Sequence, residues 1–425
     1  MKYDSLIHPI LPRKDYGKIV QITGAKNATV YSGDKEIIDG IAGLWNVILG
    51  HGNQEINGAI VDQLNKVGFI NPWTCSTEVV YQLAEKLIHF TEADYHKVMF
   101  TCTGSEAVEL AIKLARRHQS ALGKQKKKYI AVFDSSYHGT YYGSMTATGV
   151  DREYYEPYGP MLQGFAYLPI PFAEKGMTNA ALQSLEKFFV TYGEQLSAFL
   201  MEPILGVAGV VKIPDVYFKR LKELCEQYGV LIIFDEISTG FYRTGPKFAF
   251  HDMEITPDLL CLSKGINNGV LPLGTVLMNK KIADKIREED FINHLSTQNA
   301  NPVCCATAVK TMEILERDQY GEIVKEKSAY FYEKLIQLQT ESSFVHDIRC
   351  VGLMIGIELK MENDFSYILD FTTKLAEEGV LVYPYFNQYS TGIMLMPPYI
   401  ITYHEIDKII TILKTTFAKQ LVNVK

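Results

Sequence analysis

Three short stretches of this 425-residue chain set chemistry-bearing side chains directly after apolar runs. Lys264 follows "LLCLS", Asp235 closes "LIIFD", and "TGSEAVE" (103–109) comes just after "KVMF". A lysine at the mouth of a buried strand is either solvated or employed. A desolvated amine has a lowered pKa and can form a Schiff base with an aldehyde. Asp235 and its neighbour Glu236 must be solvated, paired or hydrogen-bonded, and a structural role meets that demand as well as a carboxylate facing a cationic partner does. Thr103 and Glu106 read as a capping box, while Gly104 and Ser105 expose N–H groups and a hydroxyl that can cradle a phosphate. An ordinary helix cap accounts for the same residues.

The elements that must position these groups alternate along the chain. Between about residues 60 and 290, amphipathic helical segments separate the apolar runs "KVMF" (97–100), "YIAVF" (129–133), "AFLME" (198–202), "VLIIFDE" (230–236) and "LLCLS" (259–263). This alternation predicts a mainly parallel sheet covered on both faces. Ligands of such sheets bind outside the carboxyl ends of the strands, where all three groups fall. The clearest unit starts at Asp215, with Tyr217, Phe218, Leu221, Leu224, Cys225 and Tyr228 at helical spacing and Gly229 as the stop. After about residue 300 a long helix, "PVCCATAVKTMEILERD", leads as a connector into a smaller α+β domain. The expected division is an N-terminal segment 1–60, a large domain 61–300, and the connector with a small domain 301–425.

Composition narrows the partners. With 47% hydrophobic and 21% charged residues the chain reads as globular, and 42 basic against 49 acidic residues give a charge of -7. Neither a nucleic acid nor an anionic membrane is indicated. The only basic run, "KQKKK" (124–128), reads as a solvated loop. No stretch is long and apolar enough for a membrane span and the first residues lack a signal-peptide core, so a cytoplasmic location is expected. The seven cysteines are scattered, with no CxxC metal pattern and no disulfide framework, and read as reduced, packed thiols. No metal site is expected.

A phosphate cradle, a carboxylate for a pyridinium nitrogen and an amine for an aldehyde are together what pyridoxal 5′-phosphate requires of a protein. The run "LIIFDEISTGFYRTGPKFAFHDMEITPDLLCLSKGINNGVLPLGTVL" (231–277) resembles the signature of class III pyridoxal-phosphate-dependent aminotransferases, including the 29-residue step from Asp235 to Lys264. Similar elements recur in "GLWNVILGHGNQEI", "SYHGTYYGS", "MEPILGVAGV", "HLSTQNANP", "VGLMIGIEL" and "MPPYIIT". The resemblance implies an α/β fold of type I, with a large cofactor domain and a smaller α+β domain to which the N-terminal segment contributes. It also implies an obligate homodimer with shared active sites.

For individual residues, the resemblance implies that Lys264 carries the Schiff base and later moves a proton, and that Asp235 binds the pyridine nitrogen. Gly104 and Ser105 would hold the phosphate. Tyr137 would stack on the ring with His138 beside it, and Ile237 and Glu202 would lie near the cofactor. Thr297 would reach the neighbouring subunit's phosphate. Tyr137 also reads as core aromatic, Thr297 as a helix cap, and Glu202 as a strand-end carboxylate with a local partner.

The chain departs from the family where substrate is chosen. Members acting on ornithine or 4-aminobutyrate-like substrates carry a second glutamate where Val207 stands here. No arginine occurs from Asn363 to Lys425, the region that supplies their carboxylate clamp. Tyr383, Tyr385, Asn387 and Gln388 stand in that region instead. A less acidic, bulkier or carboxylate-free substrate group is therefore expected, unless Arg243 or Arg152 compensates; Arg243 also fits a structural role. "DGIAGLWNVILGHGN" resembles the ω-transaminases of the amine:pyruvate type, and "LMPPYII" the diaminopelargonate aminotransferases. Trp45, Trp73 and Tyr142 are the expected pocket residues, with interface core the other reading of Trp45. An amino-acid racemase or aminomutase of the same fold, or a transaminase of carrier- or peptide-bound substrates, remains open.

Overall fold

The computed structural model describes residues 5–150, 152–171, 177–287, 289–361 and 364–423. Its centre is a seven-stranded sheet of β1 (Tyr95–Thr101), β2 (Tyr129–Phe133), β3 (Phe165–Leu168), β4 (Leu196–Met201), β5 (Leu231–Asp235), β6 (Leu259–Leu262) and β7 (Gly274–Asn279), in the order β1-β7-β6-β5-β4-β2-β3. Neighbours pair in parallel from β6 through to β3. β7 runs antiparallel to both β6 and β1. The expected α/β class and mainly parallel sheet are thus present. β3 and β7 are additions to the strands read from sequence: β3 is only four residues long, and β7 follows directly on the turns after Lys264, with no helix to announce it.

Burial on both faces explains the continuous apolar strands. On one face Leu231, Ile233, Leu259 and Cys261 pack with Ala107, Leu110, Ala111 and Leu114 of α1 (Gly104–Ala121). On the other, Ile232 and Phe234 pack with Phe218, Leu221 and Leu224 of α2 (Asp215–Tyr228), as the period-2 alternation of a strand requires. Gly229 ends α2 at φ +62°, the left-handed position glycine fills without strain. The predicted capping box of α1 is half formed. The Thr103 hydroxyl accepts from Glu106 N at 3.1 Å, but the Glu106 carboxylate reaches one residue further back, to Cys102 N at 2.8 Å.

The long helix is α3 (Pro302–Arg317), followed by α4 (Tyr320–Glu341). Beyond it lies an antiparallel sheet of β8 (Val345–Val351), β9 (Met354–Leu359), β10 (Tyr383–Phe386) and β11 (Thr391–Leu395), in the order β8-β9-β11-β10. A further sheet joins the two ends of the chain, Val380–Leu381 pairing in parallel with Lys35–Asp39. Lys127 corrects the reading of "KQKKK" as wholly solvated. Its ammonium is buried on the carbonyls of Gly193 and Leu196 at 2.9 and 3.2 Å, which close the turn before β4. Among the described residues no helix is long and apolar enough to cross a membrane.

Candidate active site

β5 and β6 lie side by side with Asp235 paired to Cys261, so the residues that follow each strand emerge at one edge of the sheet. The two carboxylates there part company. Glu236 turns away from the edge and accepts from Ala249 N, Phe250 N and the Thr239 hydroxyl at 2.7, 2.9 and 2.9 Å. It closes a turn, and burial pushes its pKa up to about 7. Asp235 stays at the edge, its Oδ2 2.8 Å from Nδ1 of His138 and its Oδ1 accepting from Ile237 N at 3.1 Å. His138 is buried, and its Nε2 meets no protein partner among the described residues. This pairing was not legible in the sequence, because the two residues are 97 positions apart.

Lys264 leaves β6 through Ser263 and opens a short 3-10 turn at φ +44°, a left-handed conformation rare for a lysine. Its Nζ lies 2.6 Å from the Ser238 hydroxyl and 4.3 Å from the centre of the Trp45 ring. Burial pulls the amine down to about 8, against the opposing pull of the Asp235 and Glu202 carboxylates. Trp45 is itself in a strained turn, with Ala42, Gly43 and Trp45 all at positive φ. The buried Asp39 holds that turn by accepting from Gly43 N at 2.7 Å, and His51 Nε2 sits on the same oxygen at 2.7 Å.

The N-terminus of α1 forms the third wall. A Cβ on Gly104 would lie 2.8 Å from Cδ1 of Ile237, and one on Gly139 would lie 2.3 Å from Oγ of Ser105. Glycine at both positions lets the 139–140 backbone and Ile237 close on the helix start. Glu106 then ties in a distant segment, its Oε1 accepting from the Ser296 hydroxyl at 2.7 Å and facing His294 Nε2 at 3.2 Å. Thr297 follows on that tethered segment and is exposed. Glu202, at the end of β4, is buried and accepts from Tyr137 N and Gly206 N, each at 3.0 Å. Its burial pushes the carboxyl up to about 7. The local-partner reading of Glu202 therefore describes its contacts, one of which positions the backbone of Tyr137.

A cavity of about 540 Å³ is lined by Leu44, Val47, Cys102, Gly104, Lys264 and Val270, among others. Gly104 and Lys264 line this cavity, and Asp235 and His138 lie at the same sheet edge without lining it. Together these residues fit pyridoxal 5′-phosphate: a helix N-terminus that excludes a Cβ, a buried carboxylate oriented by histidine, and an amine with lowered pKa. The remaining expected pocket residues are not gathered by this single chain. Trp73 is 80% exposed and Tyr142 is 58% exposed. Arg243 is fully buried, its Nη1 donating to the carbonyls of Leu353 and Pro397 at 3.0 and 2.8 Å. Arg152 stacks on Tyr167 at 3.8 Å. Two contacts escaped sequence reasoning. Ser238, three residues past Asp235, could have been flagged by that spacing; the edge contact of Tyr383 with Trp45, at 5.5 Å between ring centres, could not.

The chain is similar to known proteins over nearly its whole length. The family model for class III aminotransferases matches residues 11–417. The chain is 29% identical to an adenosylmethionine-8-amino-7-oxononanoate aminotransferase of Anoxybacillus flavithermus, over 96% of this chain and 91% of that one. It superposes with a TM-score of 0.93 on a transaminase from the marine bacterium Virgibacillus, at 30% identity over 99% and 98% of the two chains. The corresponding values for an amine transaminase from an uncultivated Pseudomonas species, in its pyridoxal-phosphate-bound form, are 0.92, 29%, 98% and 99%.

Proposed function

Because the chain belongs to the class III aminotransferase family and uses pyridoxal 5′-phosphate as that family does, we propose that it is an ω-transaminase-like enzyme. It would move an amino group between an amine or amino acid donor and a carbonyl acceptor. One observation carries the finer reading: the Lys264 amine lies against Trp45, and Trp45 against Tyr383. Tyr383 belongs to the segment where the resemblance would put the carboxylate-binding arginine of members acting on ornithine or 4-aminobutyrate-like substrates. Of the other residues there, Tyr385 bonds Arg349 at 2.8 Å, Asn387 the carbonyl of Ala208 at 3.2 Å, and Gln388 reaches Asp134 at 3.4 Å. Val207, in place of the second family glutamate, packs at the edge of the Trp45 cluster. An aromatic wall of this kind favours an apolar substrate face and offers no bidentate clamp.

Pyridoxal phosphate supplies an aldehyde for amines and a cationic ring that draws electrons from the substrate carbon. Gly104 and Ser105 hold its phosphate at the start of α1, where backbone N–H groups and the helix dipole favour negative charge. Asp235, oriented by His138, would face the ring nitrogen and favour its protonated form. Glu202 fixes the Tyr137 backbone so that the tyrosine ring can cover the cofactor. Lys264, with its pKa brought down to about 8, has a larger neutral fraction near neutral pH than an exposed lysine. With the cofactor bound, Lys264 would act through Nζ, taking up and giving back the proton that amino transfer moves.

The active unit in this reading is a homodimer. Trp73, Phe291 and Leu295 expose large apolar surfaces on the isolated chain, and the exposed Thr297, two residues from Leu295, would reach a second copy. The division into an N-terminal segment, a large domain and a small domain belongs to the same reading.

A donor panel tests the proposal. Amines without a carboxylate, added alone, should release a carbonyl product and leave the pyridoxamine form; a keto acid should then take up the amino group as an amino acid and restore the aldehyde form. A strict preference for α-amino acids would overturn the substrate reading. Racemisation or internal amino migration without pyridoxamine would favour a racemase or aminomutase, and turnover restricted to tethered amines the carrier-bound alternative. A second reading of the pocket has one observation behind it: Nε and Nη2 of the buried Arg243, whose guanidinium lies over the Tyr399 ring, have no hydrogen-bond partner among the described residues, and could serve a substrate carboxylate.

A further inference from the structure

The family signature accounts for the lysine and the aspartate of this site, but not for the hydroxyl between them. Ser238 Oγ is 2.6 Å from Lys264 Nζ and is the hydrogen-bond partner of that amine among the described residues. Its position is set by the aspartate. Asp235 Oδ1 takes Ile237 N, the Thr239 hydroxyl and Gly240 N bond Glu236, and the turn from 235 to 240 is thereby pinned on both sides of Ser238. Within that turn Asp235, Glu236 and Thr239 are buried, whereas Ile237 and Ser238 are only half-buried.

We propose that Ser238 is the positioning residue that receives the Lys264 amine whenever the amine is not bonded to the cofactor, holding Nζ at one point between its hydroxyl and the Trp45 ring. This rests on the reading of Lys264 as the exchanging amine. A lysine released from a covalent bond regains four rotatable side-chain bonds and must be caught before it can act at a defined carbon. A hydroxyl suits the task because it both donates and accepts: it can accept from the ammonium or serve the neutral amine without bringing a charge of its own. The charges acting on Nζ are those of Asp235, Glu202 and Arg243, and none of them bonds it. The short tether from Asp235 to Ser238 also fixes the waiting amine relative to the carboxylate assigned to the ring nitrogen.

The test follows the free amine directly. Full-length protein stripped of cofactor is mixed with pyridoxal phosphate, and the return of visible absorbance is timed across the pH range in which the amine loses its proton. Because a hydroxyl stabilises the ammonium through a charge-assisted bond, Ser238→Ala should move the inflection down by about one pH unit. Ser238→Thr, which keeps the hydroxyl, should retain the wild-type inflection. An unmoved inflection in Ser238→Ala, or an equal shift in both variants, overturns the proposal. Lys264→Ala, treated identically, should never regain the band. If it does, the assignment of the lysine fails together with the proposal, whereas a failure of Ser238 alone leaves that assignment standing.

Discussion

His138 Nδ1 and Asp235 Oδ2 stand 2.8 Å apart at the edge of the central sheet, in a pocket that buries both side chains. The ring orients the carboxylate, and the carboxylate's other oxygen is already taken by Ile237 N at 3.1 Å. Replacing His138 by alanine leaves a buried carboxylate with one partner fewer, at a cost of about 1–3 kcal/mol. Equilibrium titration should therefore show pyridoxal phosphate bound roughly ten- to a hundredfold more weakly. Unchanged affinity would remove His138 from the cofactor site.

Gly104 offers a compensation experiment. A methyl there would meet Cδ1 of Ile237 at 2.8 Å, the far end of a flexible side chain. Gly104→Ala should weaken cofactor binding on the order of tenfold, and Ile237→Val, by removing Cδ1, should restore part of it in the double variant, since contacting residues couple. Additive losses would show that the two do not share a contact.

Tyr383→Arg would introduce a guanidinium beside Trp45, in the C-terminal segment that lacks arginine. The ratio of kcat/KM for carboxylated over uncharged amines should rise by about tenfold or more, the effect of a charge-assisted bidentate pair. A ratio that stays put would mean that substrate carboxylates do not approach β10.

Glu202 makes stability depend on pH. Burial raises its folded-state pKa from 4.5 to about 7, so between these values the folded chain binds a proton that the unfolded chain has lost. With more protons on the folded state, stability falls as pH rises through this window and levels off above it. Denaturation midpoints of wild type relative to Glu202→Gln should therefore decline from pH 4.5 to about pH 7. A flat difference would show that Glu202 stays ionised throughout.

Much of the fold was readable because its strands are buried on both faces: "LIIFD" and "LLCL" admit few alternatives, and the residues ending them fall at the ligand-binding edge. The helix α2 was equally plain, its apolar spacing closed by Gly229. β7 was not, since an antiparallel strand inserted between β1 and β6 leaves no helix in the sequence to mark it. Within the site, Lys264 and Asp235 stood out by position. The bonds His138–Asp235, Lys264–Ser238 and Glu106–Ser296 join residues 97, 26 and 190 positions apart and exist only once the sheet is assembled. Lys127 misled for the same reason: a basic run says nothing of two carbonyls that arrive from residues 193 and 196.

The most direct measurement is the absorbance spectrum of the purified protein beside Lys264→Ala, before and after amines and amino acids are added one at a time. The expected result is a visible band in the wild type only, bleached to the pyridoxamine form by uncharged amines and restored by a keto acid. A protein that stays colourless after reconstitution with pyridoxal phosphate, or a band that survives the loss of Lys264 unchanged, would contradict the assignment of that lysine and the amino transfer built on it.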